Sequence, residues 1–168
     1  LGLRNLMSIK HLVIPDCQIK DGDNTEFLSW IGQYILDQKP DVIINLGDFA
    51  DMESLSSYDV GKKSFEGKRY IKDIGAAHQA MDKLLQPLRE FNVKAKKNKE
   101  KQYKPRKVLT LGNHEERIAR AVNNDPKLEG LIKYEDLPYQ DWEVHPFLKP
   151  VFIDGIAYCH YFPTGVMG

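Results

Sequence analysis

Asp16 and Gln18 in VIPDCQ, Asp48 and Asp51 in GDFAD, Asn113 and His114 in GNHE, and His160 in YCHY carry carboxylate, amide and imidazole groups. These are the side chains that hold divalent metal ions and move protons. The first three groups each follow directly on a short apolar run: IKHLVIP at 9–15, DVIINL at 41–46 and VLTL at 108–111. Alone, each has a plain explanation. Asp16 suits a turn at the end of a strand, Gln18 a loop amide or a donor standing behind a ligand, and His160 a strand histidine with its hydrogen bonds satisfied. Three runs delivering acid, amide and imidazole groups in order read as a site.

The runs that must position these groups are short, apolar and largely β-branched, as buried strands are. Between the first two, 24–38 has apolar residues at Phe27, Trp30, Ile31, Tyr34 and Ile35. That is helical spacing, with Asn24 or Thr25 as N-cap and Pro40 as the stop. The stretch 52–68 is polar and without period. A long helix is predicted over 70–91, kinked or ended late at Pro87, followed by a basic solvated loop at 94–107 and a helix over 115–122. The segment containing Pro126, Pro138 and Pro146 is mixed, and PVFIDGIAYCHYF reads as a hairpin turning at Asp154-Gly155. Strands alternating with helices predict an α/β fold around a largely parallel sheet. In such sheets, sites form beyond the carboxyl ends of the strands. The span 7–168 reads as one domain without repeats or low-complexity linkers. Met7-Ser8 resembles a natural start, which leaves Leu1 to Leu6 as added or upstream residues.

Asp16-Cys17-Gln18, Gly47-Asp48-Phe49-Ala50-Asp51, Gly112-Asn113-His114-Glu115 and the later His160 make the chain resemble the calcineurin-like metallophosphoesterases. The blocks of that family are D-x-H, G-D-x-x-D, G-N-H-D/E, a strand-end His and a final G-H-x-H, and the resemblance extends from Ile9 to about His160. It implies a layered α/β/β/α sandwich and hydrolysis of a phosphoester by a metal-activated water. Two cations roughly 3.5–4 Å apart can grip a phosphate and acidify a bridging water. By the resemblance, Asp48 bridges two metal ions, Asp16 and Gln18 hold the first, and Asn113 and His160 hold the second. His114 faces the substrate as the catalytic residue, and Asp51 stands behind it to orient it or raise its pKa. If the first strand runs on past Pro15, i, i+2 spacing puts Asp16 and Gln18 on one face. Cys17 and Cys159, each beside an expected ligand, then point the other way and read as small buried hydrophobes. Gly47 and Gly112 permit tight turns close to the metals.

Two departures from the family pattern carry consequences. Gln18 replaces the histidine of D-x-H. An amide oxygen is harder and weaker than imidazole, which favours Mn²⁺, then Mg²⁺, with Fe or Zn²⁺ as alternatives. The final G-H-x-H does not occur in the sequence. Truncation is the simplest account, with the last strands of the sandwich missing, metal held weakly, and an exposed edge that a dimer could cover. The alternative function is a weakly active or inactive remnant that binds nucleic acid or protein. Protein phosphatases of the superfamily carry G-D-x-V-D-R-G and an Arg before G-N-H-E. Here the sequence is GDFADMES, and Leu111 precedes Gly112. The looser nuclease, phosphodiesterase or phosphomonoesterase pattern fits better.

Composition narrows the partners. Acidic and basic residues balance at 24 each, so no global charge draws the chain to nucleic acid or a membrane. The local exception is the run from Lys94 to Lys107, with eight Lys or Arg and one Glu. A solvated loop is the simpler reading, and nucleic-acid phosphate contact the sharper one. No run approaches the ~18 apolar residues of a membrane span. The first residues lack an apolar signal core, and two cysteines make no disulfide framework. A soluble, reducing, cytoplasmic setting is expected. His11 and His78 read as packing or surface residues and His145 as a loop residue, with a substrate contact left open. Arg117 reads as a phosphate contact or as the partner of a Glu in the first turn of its helix.

Overall fold

The computed structural model describes residues 8–57 and 61–162. The first seven and last six residues, on which the readings of the chain's start and end rest, lie outside them. Four short strands form a parallel sheet in the order β1 (His11–Ile14), β2 (Val42–Asn45), β3 (Arg106–Thr110) and β4 (Glu143–His145). The register aligns Ile14 with Asn45 and Asn45 with Leu109. All four strands therefore end along one edge.

Side chains alternate across the pleat, so β2 and β3 feed two cores. Ile14, Ile43 and Leu109 face helices α1 (Glu26–Gln38) and α2 (Tyr70–Lys97), packing with Leu28, Ile35, Ala80, Met81 and Leu84. Val42, Ile44 and Val108 face the hairpin of β5 (Val151–Ile153) and β6 (Ile156–Tyr158), meeting Val151 and Ile153. The hairpin turns through Asp154 (φ 49°) and Gly155 (φ 80°), the paired left-handed residues of a tight two-residue turn. The layers are thus helix, sheet, hairpin sheet, the first three of the expected sandwich. Phe152, on the hairpin's outer face, is 74% exposed.

The helices depart from expectation at two points. α2 runs unbroken through Pro87 to Lys97, past the predicted end at Phe91. Proline removes one N–H from the ladder, and burial of Leu84, Leu85 and Leu88 holds the helix across the gap. Opposite it, α1 supplies Gly32, where a Cβ would collide with the Leu84 carbonyl and crowd the Pro87 ring. The basic run is consequently not one loop. Lys94, Lys96 and Lys97 form the last turn of α2, where cations favour the helix dipole, and Arg106 and Lys107 open β3. Between them, Tyr103 exchanges two 2.8 Å bonds with Asn92 and donates its hydroxyl to the Pro40 carbonyl at 2.6 Å.

β4 is absent from the sequence-based reading. It has three residues and one apolar side chain, and Arg106 grips its Glu143 through two 2.9 Å bonds. α3 (Glu116–Asn124) follows the Gly112–Glu115 loop. Among the described residues, no helix is long and apolar enough to cross a membrane.

Candidate metal centre

β1 ends at Ile14, so strand alternation does not place Asp16 and Gln18. Pro15 breaks the ladder, and the chain turns onto the loop after β2. The N–H groups of Cys17 and Gln18 both reach the Asp48 carbonyl, at 3.1 and 2.8 Å, and Ile19 bridges to Ala50. Gln18 has left-handed backbone (φ 48°) and is exposed. Cys17 is half-buried and donates its thiol to the Pro15 carbonyl. Burial, then the Asp16 and Glu115 charges, push that thiol up to about 12, which suits a packed thiol and not a thiolate. Cys159 is buried, as expected.

Asp48 is almost wholly buried with left-handed backbone (φ 48°), a conformation Asp tolerates better than most residues. Its Oδ1 accepts the His114 N–H at 2.8 Å. Two glycines make this approach possible. A Cβ on Gly112 would collide with the Asp48 carboxylate, and one on Gly47 (φ +91°) with the Thr110 carbonyl.

Glu115 locks the two loops together. Its fully buried carboxylate accepts N–H bonds from Asp48, Phe49, Ala50 and Gly112, and the Tyr139 hydroxyl at 2.8 Å. Burial pushes this carboxyl up from its ordinary value, and the hydrogen bonds oppose the shift. Every partner is a donor, which fits the acceptor-only carboxylate. Sequence reading placed Glu115 at a helix start and missed this role. Its partners are mostly backbone groups of a distant loop, and Tyr139 sits in the mixed segment that holds Pro126, Pro138 and Pro146.

His160, just beyond β6, has its Nδ1 2.7 Å from the Leu46 carbonyl. That bond leaves Nε2 as the free ring nitrogen, 3.0 Å from Asn113 Oδ1 and 3.4 Å from Asp48 Oδ2. A neutral imidazole there would present a lone pair to two oxygens, an arrangement a cation satisfies. Asp16, Asp48 and His160 each bring a ligand atom within 4.8 Å of the others. The structure therefore gathers Asp16, Asp48, Asn113 and His160, with Gln18 exposed in the same loop as Asp16. This mainly oxygen donor set with one imidazole fits a divalent cation.

His114 stands beside this group. Its Nδ1 lies 2.7 Å from Asp51 Oδ1 and 2.9 Å from the Asp51 carbonyl, and its Nε2 lies 3.7 Å from Asp48 Oδ2. The hydrogen bond to Asp51 raises the imidazole above its ordinary value, against the opposing effect of burial. Burial pushes Asp51 up, but hydrogen bonds from His114 and Lys20 outweigh it and hold the carboxyl below its ordinary value. Arg117 grips the Asp51 carbonyl and carboxylate at 2.9 and 3.1 Å instead of pairing with a Glu in its own first turn. The other histidines lie outside this group. His11 bonds Tyr158 and Asp154, His78 the Asp136 carbonyl, and His145, in β4 and not a loop, Glu143.

The model of the calcineurin-like phosphoesterase family matches residues 9–162. The gene 54 protein of Mycobacterium phage L5 is 34% identical over 84 residues, covering 50% of this chain. The match spans 31% of that relative's length. No solved structure matches the chain. From the ordered blocks at the strand ends and a family match over nearly its whole length, the chain belongs to the calcineurin-like phosphoesterase family.

Proposed function

We propose that the chain is a metal-dependent phosphoester hydrolase acting at the carboxyl edge of its parallel sheet. The single observation that carries this is the convergence of His160 Nε2 on Asn113 Oδ1 and Asp48 Oδ2, beside Asp16. In this reading Asp48 would hold both divalent ions, with Asp16 and Gln18 for the first and Asn113 and His160 for the second. Bound there, the ions supply neutralising charge for the phosphate and a water acidic enough to attack it near neutral pH. The oxygen-rich donors favour Mn²⁺ or Mg²⁺.

The chain's own groups do the rest. Asp51 and the Leu46 carbonyl fix the two imidazole orientations. His114 exposes Nε2 toward Asp48 with Nδ1 held by Asp51. A proton at Nε2 is placed for donation to the leaving oxygen, and the bond to Asp51 favours the protonated ring. Arg117 and Lys20 keep Asp51 ionised for this task. The Glu115 clamp holds the loops so that the ligands need little rearrangement.

The Lys94–Lys107 run supports nucleic-acid contact at this site poorly. Arg106 begins β3, about 13 Å of strand from Thr110 at the site edge, taking ~3.3 Å per residue. The substrate reading is therefore a phosphodiester or phosphomonoester recognised at the edge itself. Hydrolysis of bis(p-nitrophenyl) phosphate and p-nitrophenyl phosphate, assayed with Mn²⁺, Mg²⁺ and Zn²⁺, tests it. Turnover that needs added metal, with Mn²⁺ the best, is the expected result. No hydrolysis of either ester with any of the three ions would leave the binding-remnant reading in its place.

A further inference from the structure

A cavity of about 290 Å³ shares a wall with the metal centre. That wall is Asn113, whose Oδ1 faces His160. Arg117 and Arg120, three residues apart on α3 and so on one helix face, line the cavity with Ser57 and Asn124. Among the described residues, two guanidiniums and no carboxylate face the space. Arg117 has Nη1 on Asp51 and Met52, with Nη2 3.4 Å from His114 Nε2. Arg120 donates one bond to the Asn113 carbonyl at 2.9 Å. Among the described residues no carboxylate lies within ion-pair distance of it. A larger cavity of about 480 Å³ near Lys68 and Lys72 differs, since both of those cations pair with acids, Glu53 and Asp21.

We propose that the Arg117–Arg120 cavity binds a second phosphate group of the substrate, a few bonds from the phosphate that is hydrolysed. The proposal rests on the phosphoesterase reading above and narrows it to bisphosphorylated small molecules. Guanidinium forks match phosphate oxygens, and hydrogen bonds to a charged group are about twice as strong as neutral ones. Ser57 and Asn124 add neutral donors. The volume lies at the low end for ligand pockets, which suits a phosphate with part of its alcohol and not a polymer. Arg120 recognises the second phosphate. Arg117, tied to Asp51, links that recognition to the His114 side of the centre.

Calorimetry on the Mn²⁺-loaded protein with thymidine 3′,5′-bisphosphate and thymidine 5′-monophosphate as probes tests this without requiring turnover. The bisphosphate is expected to bind about tenfold tighter or more. Arg120→Gln and Asn124→Asp should each bring the ratio toward one, and Arg120→Lys should keep part of it. A ratio near one in the wild type would overturn the proposal. So would an Arg120→Gln variant that weakens both probes equally, which is the mark of a merely structural arginine. Failure of the hydrolase reading shows separately, as no hydrolysis of bis(p-nitrophenyl) phosphate while the binding ratio stands.

Discussion

Nδ1 of His114 sits 2.7 Å from Oδ1 of Asp51, Arg117 shares that oxygen at 3.1 Å, and Lys20 holds Oδ2 at 3.2 Å. The His114–Asp51 bond shifts both partners toward their charged forms. For His114, raised above 6.5, the bond's stabilisation is full below 6.5 and lost as pH rises through the folded value. For Asp51, lowered from 3.8, it is full above 3.8 and lost as pH falls through the folded value. In the metal-free protein, an NMR titration should place the His114 midpoint above 6.5. Asp51→Asn should bring it down. A wild-type midpoint at or below the ordinary value would contradict the assigned pairing.

Glu115 predicts a stability effect larger than any catalytic one. Glu115→Ala leaves four backbone N–H groups and the Tyr139 hydroxyl without their acceptor. The expected loss is about 3–5 kcal/mol, the range for removing one side of a buried charged network. Tyr139→Phe removes one bond and should cost about 1–3 kcal/mol. Urea denaturation of both variants measures this, and a Glu115→Ala loss under about 1 kcal/mol would mean the clamp is not formed.

Turnover and metal content should separate at His114. His114→Ala is expected to keep its Mn²⁺ while its rate on bis(p-nitrophenyl) phosphate falls by about 10²–10⁴, the usual worth of general acid catalysis. Metal analysis beside the rate assay decides it. Loss of metal with an unchanged rate per bound ion would make His114 a ligand instead.

Gln18 is the least constrained of the proposed ligands, being exposed on left-handed backbone. As a ligand it predicts that Gln18→Ala weakens one class of Mn²⁺ site by about tenfold or more, and that Gln18→His shifts preference toward Zn²⁺. Competition calorimetry reads both. Unchanged affinities would place Gln18 outside the metal shell.

Much of this arrangement was legible in the sequence because local chemistry and fold agree there. The mainly apolar runs 41–46 and 108–111 lead into Gly47-Asp48 and Gly112-Asn113, and Asp154-Gly155 encodes its own turn. β4 was not legible, since its three residues are held by pairing to β3 and by Arg106, neither visible locally. The end of α2 was misplaced because tertiary burial outweighs the proline. Alternation does not place Gln18, because the strand stops at Ile14, before the rule applies. Glu115 was visible as a residue but not as a clamp, because its acceptor role depends on N–H groups of a loop 65–67 residues earlier.

Asp48→Asn is the most direct test of the metal centre. The amide keeps an oxygen for the His114 N–H, now 2.8 Å from Oδ1, so the loop can stay folded, but it removes the charge shared between the two proposed ions. Mn²⁺ uptake, followed by calorimetry and by the metal-induced rise in Tm, should be clear for the wild type and lost in Asp48→Asn, with metal-free Tm values close to each other. Equal Mn²⁺ binding by the two proteins would contradict a centre built on Asp48.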